Sequence, residues 1–241
     1  MVRVETIGGV AILELARPQR GNALSAPLVE AILDKLPRIF ADEGVHTLLV
    51  RGTGRHLCTG FDLEGIDAQS DGDLLHRFVR IETLLSEIWH APVRTIAAGC
   101  GRVYGAGADL FAACDLRIAQ RSTIFRFPGA GFGIVLGTRR LAARVGEDRA
   151  RGWLTTNTEV GAEAALAAGL VTQIIDDEID LSQFQQPAVN RATQQALHEA
   201  SRPDLRDRDM AALVRSAATL GLRDRILRYA ASVRAARVGH S

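Results

Sequence analysis

The sequence is poor in lysine, aromatics and cysteine. Lys35 is its only lysine, aromatics make up 5% of the 241 residues, and the cysteines number three. Cys58, Cys100 and Cys114 are odd in number and scattered, which fits neither a disulfide framework nor the ligand spacing of a zinc site. The opening "MVRVETIGGVAILEL" lacks a long apolar stretch ending in small residues, so no secretory leader is expected. These features point to a reducing, cytoplasmic compartment. No apolar run approaches the roughly 18 residues of a membrane span. The formal net charge is +1, and no basic block is interleaved with aromatics. That excludes a long-range pull toward nucleic acid or an anionic membrane. Neither a G-x-S-x-G elbow nor an H-E-x-x-H pair occurs, and no metal site is expected.

What is present is a globular composition, 47% hydrophobic and 24% charged, long enough for one large domain or a domain with an appendage. Short β-type runs alternate with longer helical ones. Strands are expected over 9–15, 46–52, 93–99, 115–120 and 169–175. Between them, helices are expected after Ser25, a plausible N-cap, over 73–90, and in the short "AGADLFAAC". Such alternation predicts an α/β architecture with largely buried strands. Beyond residue 175 the strand signal stops. Residues 188–199, 203–219 and 222–237 read as helices, so a core over 1–175 and a helical region over 176–241 are expected, with "DDEID" (176–180) at the boundary.

Two segments share one design. "RGTGRHLCTGFDLEG" (51–65) and "TIAAGCGRVYGAGADL" (95–110) each run from a strand through a polar bend to small residues and glycine. Glycine leaves backbone N–H groups unshielded, and a helix start adds unpaired donors and partial positive charge. Either the two turns are merely tight, or they aim two N–H groups at one oxygen, the arrangement of an oxyanion hole. The "GCGRVYG" spacing is only a weak match to a dinucleotide-binding turn.

Four stretches in order, "ILELARPQRGNALS", "LLVRGTGRHLCTGFDL", "TIAAGCGRVYGAGADLFAACDLRIA" and "FRFPGAGFGIVLGTRRL", resemble the crotonase family of enoyl-CoA hydratases and isomerases over roughly residues 3–175. The resemblance implies a spiral of ββα turns and a C-terminal helical region that packs trimers. It implies an acyl-CoA thioester as ligand, with coenzyme A entering as part of the substrate and no further cofactor. It also implies a thioester carbonyl held between two backbone N–H groups, here those of Phe61 and Ala106, stabilising an enolate. Contacts to substrate and coenzyme would fall on Arg20, Gly21, Asn22 and Ala23, on Thr59, Gly60, Asp62 and Leu63, and on Gly105 and Gly129. Arg234 and Arg237 would stand near the coenzyme phosphates.

The sequence departs from that pattern in instructive places. Hydratases of the family use two glutamates, one to take a proton and one to deliver one. The first position matches Asp109, acidic but shorter; the second matches Gly129, which brings no carboxylate. The segment after Gly129 is also short, so the acyl wall is expected to be remodelled. Ala106 adds a methyl where glycine is usual. The Phe61 ring either covers the acyl group or fills core. Asp109 either caps a helix or faces the acyl pocket; in the pocket, burial would raise its pKa. Arg126 either binds a substrate carboxylate or faces solvent, and Tyr104 either donates to the acyl group or is a turn residue. Glu64 and Asp67 read as solvated charges on a lid segment, His76 and Glu82 as surface or packing residues, and the cysteines as core.

Three functions follow as expectations. The first is an acyl-CoA enzyme, a lyase or isomerase of hydratase/isomerase type, with Asp109 as its single acid–base group. The second is a non-catalytic acyl-CoA-binding protein. The third is a nucleotide-binding α/β protein. The amphipathic tail predicts a homotrimer or a dimer of trimers.

Overall fold

Apolar runs become strands where both faces of a sheet are covered. In the computed structural model, which describes residues 1–177, 179–187 and 189–238, β2 (Val10–Leu15) shows how. Its alternate side chains Ala11, Leu13 and Leu15 enter the main core, while Val10 and Ile12 enter a smaller cluster with Leu49, Ile96, Ile118 and Phe184. Alternation across the pleat sends the two sets to opposite faces, so the strand reads as continuously hydrophobic.

The described strands form two sheets. The larger contains β1 (Val2–Ile7), β2, β3 (Thr47–Gly52), β4 (Arg94–Gly99), β6 (Leu116–Gln120) and β9 (Gln173–Ile175) in the order β1-β2-β3-β4-β6-β9. It is parallel except for the β1–β2 hairpin. The smaller contains β5 (Arg102–Tyr104), β7 (Ile124–Arg126) and β8 (Val160–Gly161). The chain visits the two sheets in turn. From β4 it passes to β5 and then to α3 (Ala106–Ala113); from β6 it passes to β7 and on to α4 (Thr138–Val145). From β3 it reaches Cys58, which bridges to Val103 of the small sheet, before α2 (Asp71–Trp89). These are ββα turns, as the sequence resemblance implied.

Local signals set the helix starts. Ser25 accepts from the Leu28 N–H ahead of α1 (Ala26–Ala41). Ser70 and Asp73 form a reciprocal capping box at α2, satisfying two otherwise orphaned donors. Two further helices, α5 (Glu147–Thr156) and α6 (Ala162–Ala167), precede β9. The tail carries α7 (Arg191–Ser201), α8 (Arg206–Ala217) and α9 (Leu222–Val238). These helices pack on the core. His198 of α7 and Arg202 at its C-cap meet Oδ1 of Asp115, Arg139 forks onto Asp209 of α8 at 2.6 and 2.9 Å, and Asp71 accepts from the N–H groups of Gly221, Leu222 and Arg223 at the start of α9. Among the described residues no helix is long and apolar enough to cross a membrane.

The expected strands and helices are present with shifted ends, and 169–172 precede rather than belong to β9. β1 and the whole small sheet were not anticipated. β1 is an edge strand with five of its six residues exposed, so burial writes no pattern into it. β5 and β7 are three residues each, too short for a period to register.

Candidate active site

A cleft of about 1770 Å³ runs between the 18–23 and 54–67 segments, the β5–α3 turn, the 126–136 segment and α9. Of the expected site residues, Arg20, Gly21, Ala23, Thr59, Gly60, Phe61, Asp62, Leu63, Gly105, Ala106, Asp109 and Gly129 line it; Asn22 does not. Asn22 is fully buried. Its amide donates to the carbonyls of Thr53 and His56, and its Oδ1 accepts from the Arg17 N–H. It braces the 53–56 bend from behind. Asp62 lines the cleft with its carboxylate committed to Arg17 Nη1 at 2.9 Å and to the Glu64 N–H. Arg20 pairs with Glu64 across the cleft mouth. Arg55 and Arg102 also line the cleft and bring positive charge to it, and His56 lines it with a pKa lowered by burial and by the neighbouring Arg102 and Arg55. The side chains of Arg234 and Arg237 lie outside the described residues.

The two glycine turns meet. Gly60 has φ +94° and Gly105 φ +50°, backbone conformations that cost an L side chain strain. A Cβ on Gly60 would lie 2.7 Å from the Tyr104 carbonyl oxygen and 3.4 Å from Ala106 N. Standard bond lengths then put Phe61 N no more than about 7 Å from Ala106 N. Among the described residues neither N–H is used. The parallel bridge at Leu24–Phe61 employs Gly60 O and Asp62 N, and Ala106 opens α3. Among the described residues, neither donor has a hydrogen-bond partner. Each follows a positive-φ glycine and each belongs to a residue lining the cleft. Such a pair can bind one oxygen and stabilise charge that develops on it.

The Phe61 ring stacks on Phe78, with centroids 4.4 Å apart, and the Arg77 guanidinium lies 4.0 Å from its centroid. Two groups this close cannot share one face, so both faces of the ring are occupied. Phe61 therefore packs into a wall with Phe78, which continues through Phe132 to Tyr229 of α9.

Asp109 stands in the first turns of α3 and makes no side-chain cap. It is 4% exposed, and its Oδ1 is buried without a hydrogen-bond partner among the described residues. A Cβ on Gly137 would overlap the carboxyl, so α4 begins against it. Burial pushes the Asp109 pKa well above the usual carboxylate value; Arg140 opposes this and Glu82 adds to it. Of the surface and packing alternatives for Glu82, the fold takes packing, as a buried ion pair. Glu82 is 2% exposed, and the fully buried Arg140 donates to both its oxygens at 2.5 and 3.1 Å. The helical stripe of α2 concealed it, because a stripe identifies apolar faces and not a buried ion pair.

Tyr104 donates its hydroxyl to Glu159 at 2.8 Å. Burial and that neighbour push its pKa up to about 12. Arg126 lines the cleft rather than facing open solvent alone. Its Nε donates to both the carbonyl and Oδ1 of Asn157. Glu64 is exposed and paired with Arg20 and Arg17, and Asp67 and His76 are exposed. Cys58 and Cys114 are buried with thiol pKa values raised to about 12. No sequence signal pointed to Asn157 or Glu159, which reach the cleft only through the fold. The Gly101 turn closes on the Arg55 carbonyl, and Gly107 lies tightly against the Cys58 carbonyl.

The ββα spiral, with its long cleft and paired backbone donors, defines a crotonase-type α/β protein. Comparison with known proteins carries this further. The chain belongs to the enoyl-CoA hydratase/isomerase family, whose model matches residues 5–218. It is 33% identical over 180 residues to a probable enoyl-CoA hydratase of Mycobacterium leprae, covering 72% of this chain and 71% of that protein. It is 30% identical over 187 residues to 4-chlorobenzoyl coenzyme A dehalogenase-2 of an Arthrobacter species, covering 73% and 66%. Among solved structures, one from Bordetella parapertussis assigned to the enoyl-CoA hydratase/isomerase class superposes with a TM-score of 0.89 at 39% identity, covering 95% of this chain and 98% of the other. An enoyl-CoA hydratase/isomerase from Xanthobacter autotrophicus gives 0.84 at 27% identity, covering 97% and 93%.

Proposed function

We propose that the protein is an acyl-CoA enzyme that holds the thioester carbonyl oxygen between the Phe61 and Ala106 N–H groups and moves a proton with Asp109. The observation that carries this reading is the pair of unpartnered donors behind Gly60 and Gly105 on one cleft wall. Removing a proton from the carbon beside a thioester carbonyl places negative charge on that oxygen. Fixed N–H dipoles in a site shielded from water stabilise the charge without having to reorganise.

Asp109 suits the other half of the task. Its burial favours the neutral acid, which can deliver a proton to an enolate carbon. Arg140, whose charge favours ionisation of Asp109, keeps the carboxylate attainable for the reverse step. Gly129 lines the cleft with no carboxylate to offer. One acid–base group serves double-bond isomerisation, decarboxylation or C–C cleavage, whereas syn hydration by two carboxylates lacks its second partner. The aromatic wall of Phe61, Phe78 and Phe132 would bound the acyl group. Arg55, His56 and Arg102 would face the coenzyme end, and the assembly would be a trimer or a dimer of trimers, which sedimentation tests directly.

The deciding experiment is exchange of the α-protons of butyryl-CoA with deuterated water, followed by NMR. Wild type should exchange them, and Asp109→Asn should bind the thioester equally well and exchange at least about 100-fold more slowly. A second reading, a non-catalytic acyl-CoA-binding protein, draws on the near-complete burial of Asp109. Tight thioester binding with neither exchange nor turnover across a panel of acyl-CoA esters would establish it and remove the first.

A further inference from the structure

One cation in the cleft has an anchored stem and free ends. Arg126 Nε donates to the Asn157 carbonyl at 3.1 Å and to its Oδ1 at 2.9 Å. Its two terminal nitrogens have no partner among the described residues, and the side chain enters no ion pair there. Asn157 is held in place as the left-handed C-cap of α5, φ +53°, with its N–H bonded to the Trp153 carbonyl, a conformation asparagine adopts readily at helix ends. Glu159, the acid on this wall, accepts the Tyr104 hydroxyl instead. The guanidinium is thus oriented and uncompensated.

Its place in the fold limits what it can bind. Arg126 is in register with Tyr104 across β5 and β7, and its carbonyl accepts the Gly105 N–H at 2.8 Å. It therefore branches from the chain beside the residue that precedes the Ala106 donor. Arg102, two residues earlier on β5 and paired with Ile124, lies farther from that donor. The phosphates of coenzyme A are separated from the thioester by the whole pantetheine arm, so a guanidinium this close to the carbonyl site is misplaced for them. A carboxylate on the acyl group is within its reach, and the planar fork matches that group.

We infer that Arg126 selects acyl groups bearing a second, free carboxylate, so that the substrates are monothioesters of dicarboxylic acids. The inference rests on the acyl-CoA reading above and names the substrate class of the same site.

The test compares glutaryl-CoA with pentanoyl-CoA by calorimetry, and repeats the pair as pantetheine thioesters that carry no nucleotide phosphate. Wild type should bind the glutaryl ester roughly tenfold or more tightly in both series. Arg126→Gln should bind the two alike, with pentanoyl affinity unchanged. Arg126→Lys, which keeps the charge and loses the fork, should retain only a fraction of the preference; it also serves if the glutamine variant does not fold. Equal binding of both esters by wild type overturns the inference, as does a preference that survives in Arg126→Gln or is undiminished in Arg126→Lys. Equal weakening of both CoA esters in Arg126→Gln, with the pantetheine esters unaffected, assigns the residue to the nucleotide and also overturns it. If no thioester binds wild type, the acyl-CoA reading itself falls, and this inference with it.

Discussion

Replacing Gly60 with alanine perturbs the paired donors through a single methyl group. At φ +94° an alanine carries a backbone cost of roughly 1–3 kcal/mol. Its Cβ would sit 2.7 Å from the Tyr104 carbonyl oxygen, where ordinary contact begins near 3.4 Å. The Tyr104 carbonyl is backbone at the end of β5, so the 59–61 turn yields, by roughly 0.7 Å. A hydrogen bond of about 2.9 Å to the Phe61 N–H lengthens to about 3.6 Å and ceases to be one. Loss of one such donor slows an oxyanion-forming step by about 100- to 1000-fold. The assay is α-proton exchange of butyryl-CoA, read beside calorimetric affinity for CoA and thermal unfolding. Exchange should fall by that factor, with coenzyme affinity nearly unchanged and Tm lowered by roughly 2–12 °C, as roughly 1–3 kcal/mol implies for a chain of this size. A folded Gly60→Ala protein that exchanges within a few-fold of wild type would refute the reasoning.

Other perturbations bear on the surrounding structure. Glu82→Ala leaves the fully buried Arg140 with only Asp209, 3.4 Å away, and should destabilise the fold by about 3 kcal/mol or more; denaturant unfolding measures it, and a loss below about 1 kcal/mol would contradict the buried-pair account. Asp109 has a folded pKa raised by burial, so the folded form retains its proton where the unfolded chain has lost it, and stability should decline as pH rises from the ordinary aspartate value of about 4 toward the folded value. Asp109→Asn should flatten that decline in unfolding curves taken across pH, and an unchanged slope would assign it to other groups. Cys58 and Cys114, buried with thiol pKa values near 12, should resist iodoacetamide at pH 8 in the folded protein and react once it is denatured; rapid native labelling followed by mass spectrometry would contradict their burial.

Much of this arrangement was legible in the sequence, for reasons that particular residues make plain. The buried strands β2, β3, β4 and β6 show apolar runs because both sheet faces are covered, and Ser25 marks its helix through capping. The two glycine turns were visible because only glycine suits the backbone at Gly60 and Gly105. Residues that act through distant contacts were not visible. Glu82 lies on a helix whose pattern says only which face is apolar, and its partner Arg140 is 58 residues away. Asn22 sits in the expected binding stretch, yet its amide is spent on the bend behind the cleft. Asn157 meets Arg126 across 31 residues through the C-terminal cap of α5, and nothing in the local sequence announces that.

The most direct measurement of the central claim is a crystal structure of the protein bound to a non-hydrolysable acyl-CoA ketone, in which a methylene replaces the thioester sulfur beside the carbonyl. The ketone oxygen should lie about 2.7–3.1 Å from both Phe61 N and Ala106 N, with Asp109 the carboxyl group facing the adjacent carbon. An oxygen directed elsewhere, or within reach of only one of the two N–H groups, would contradict the account.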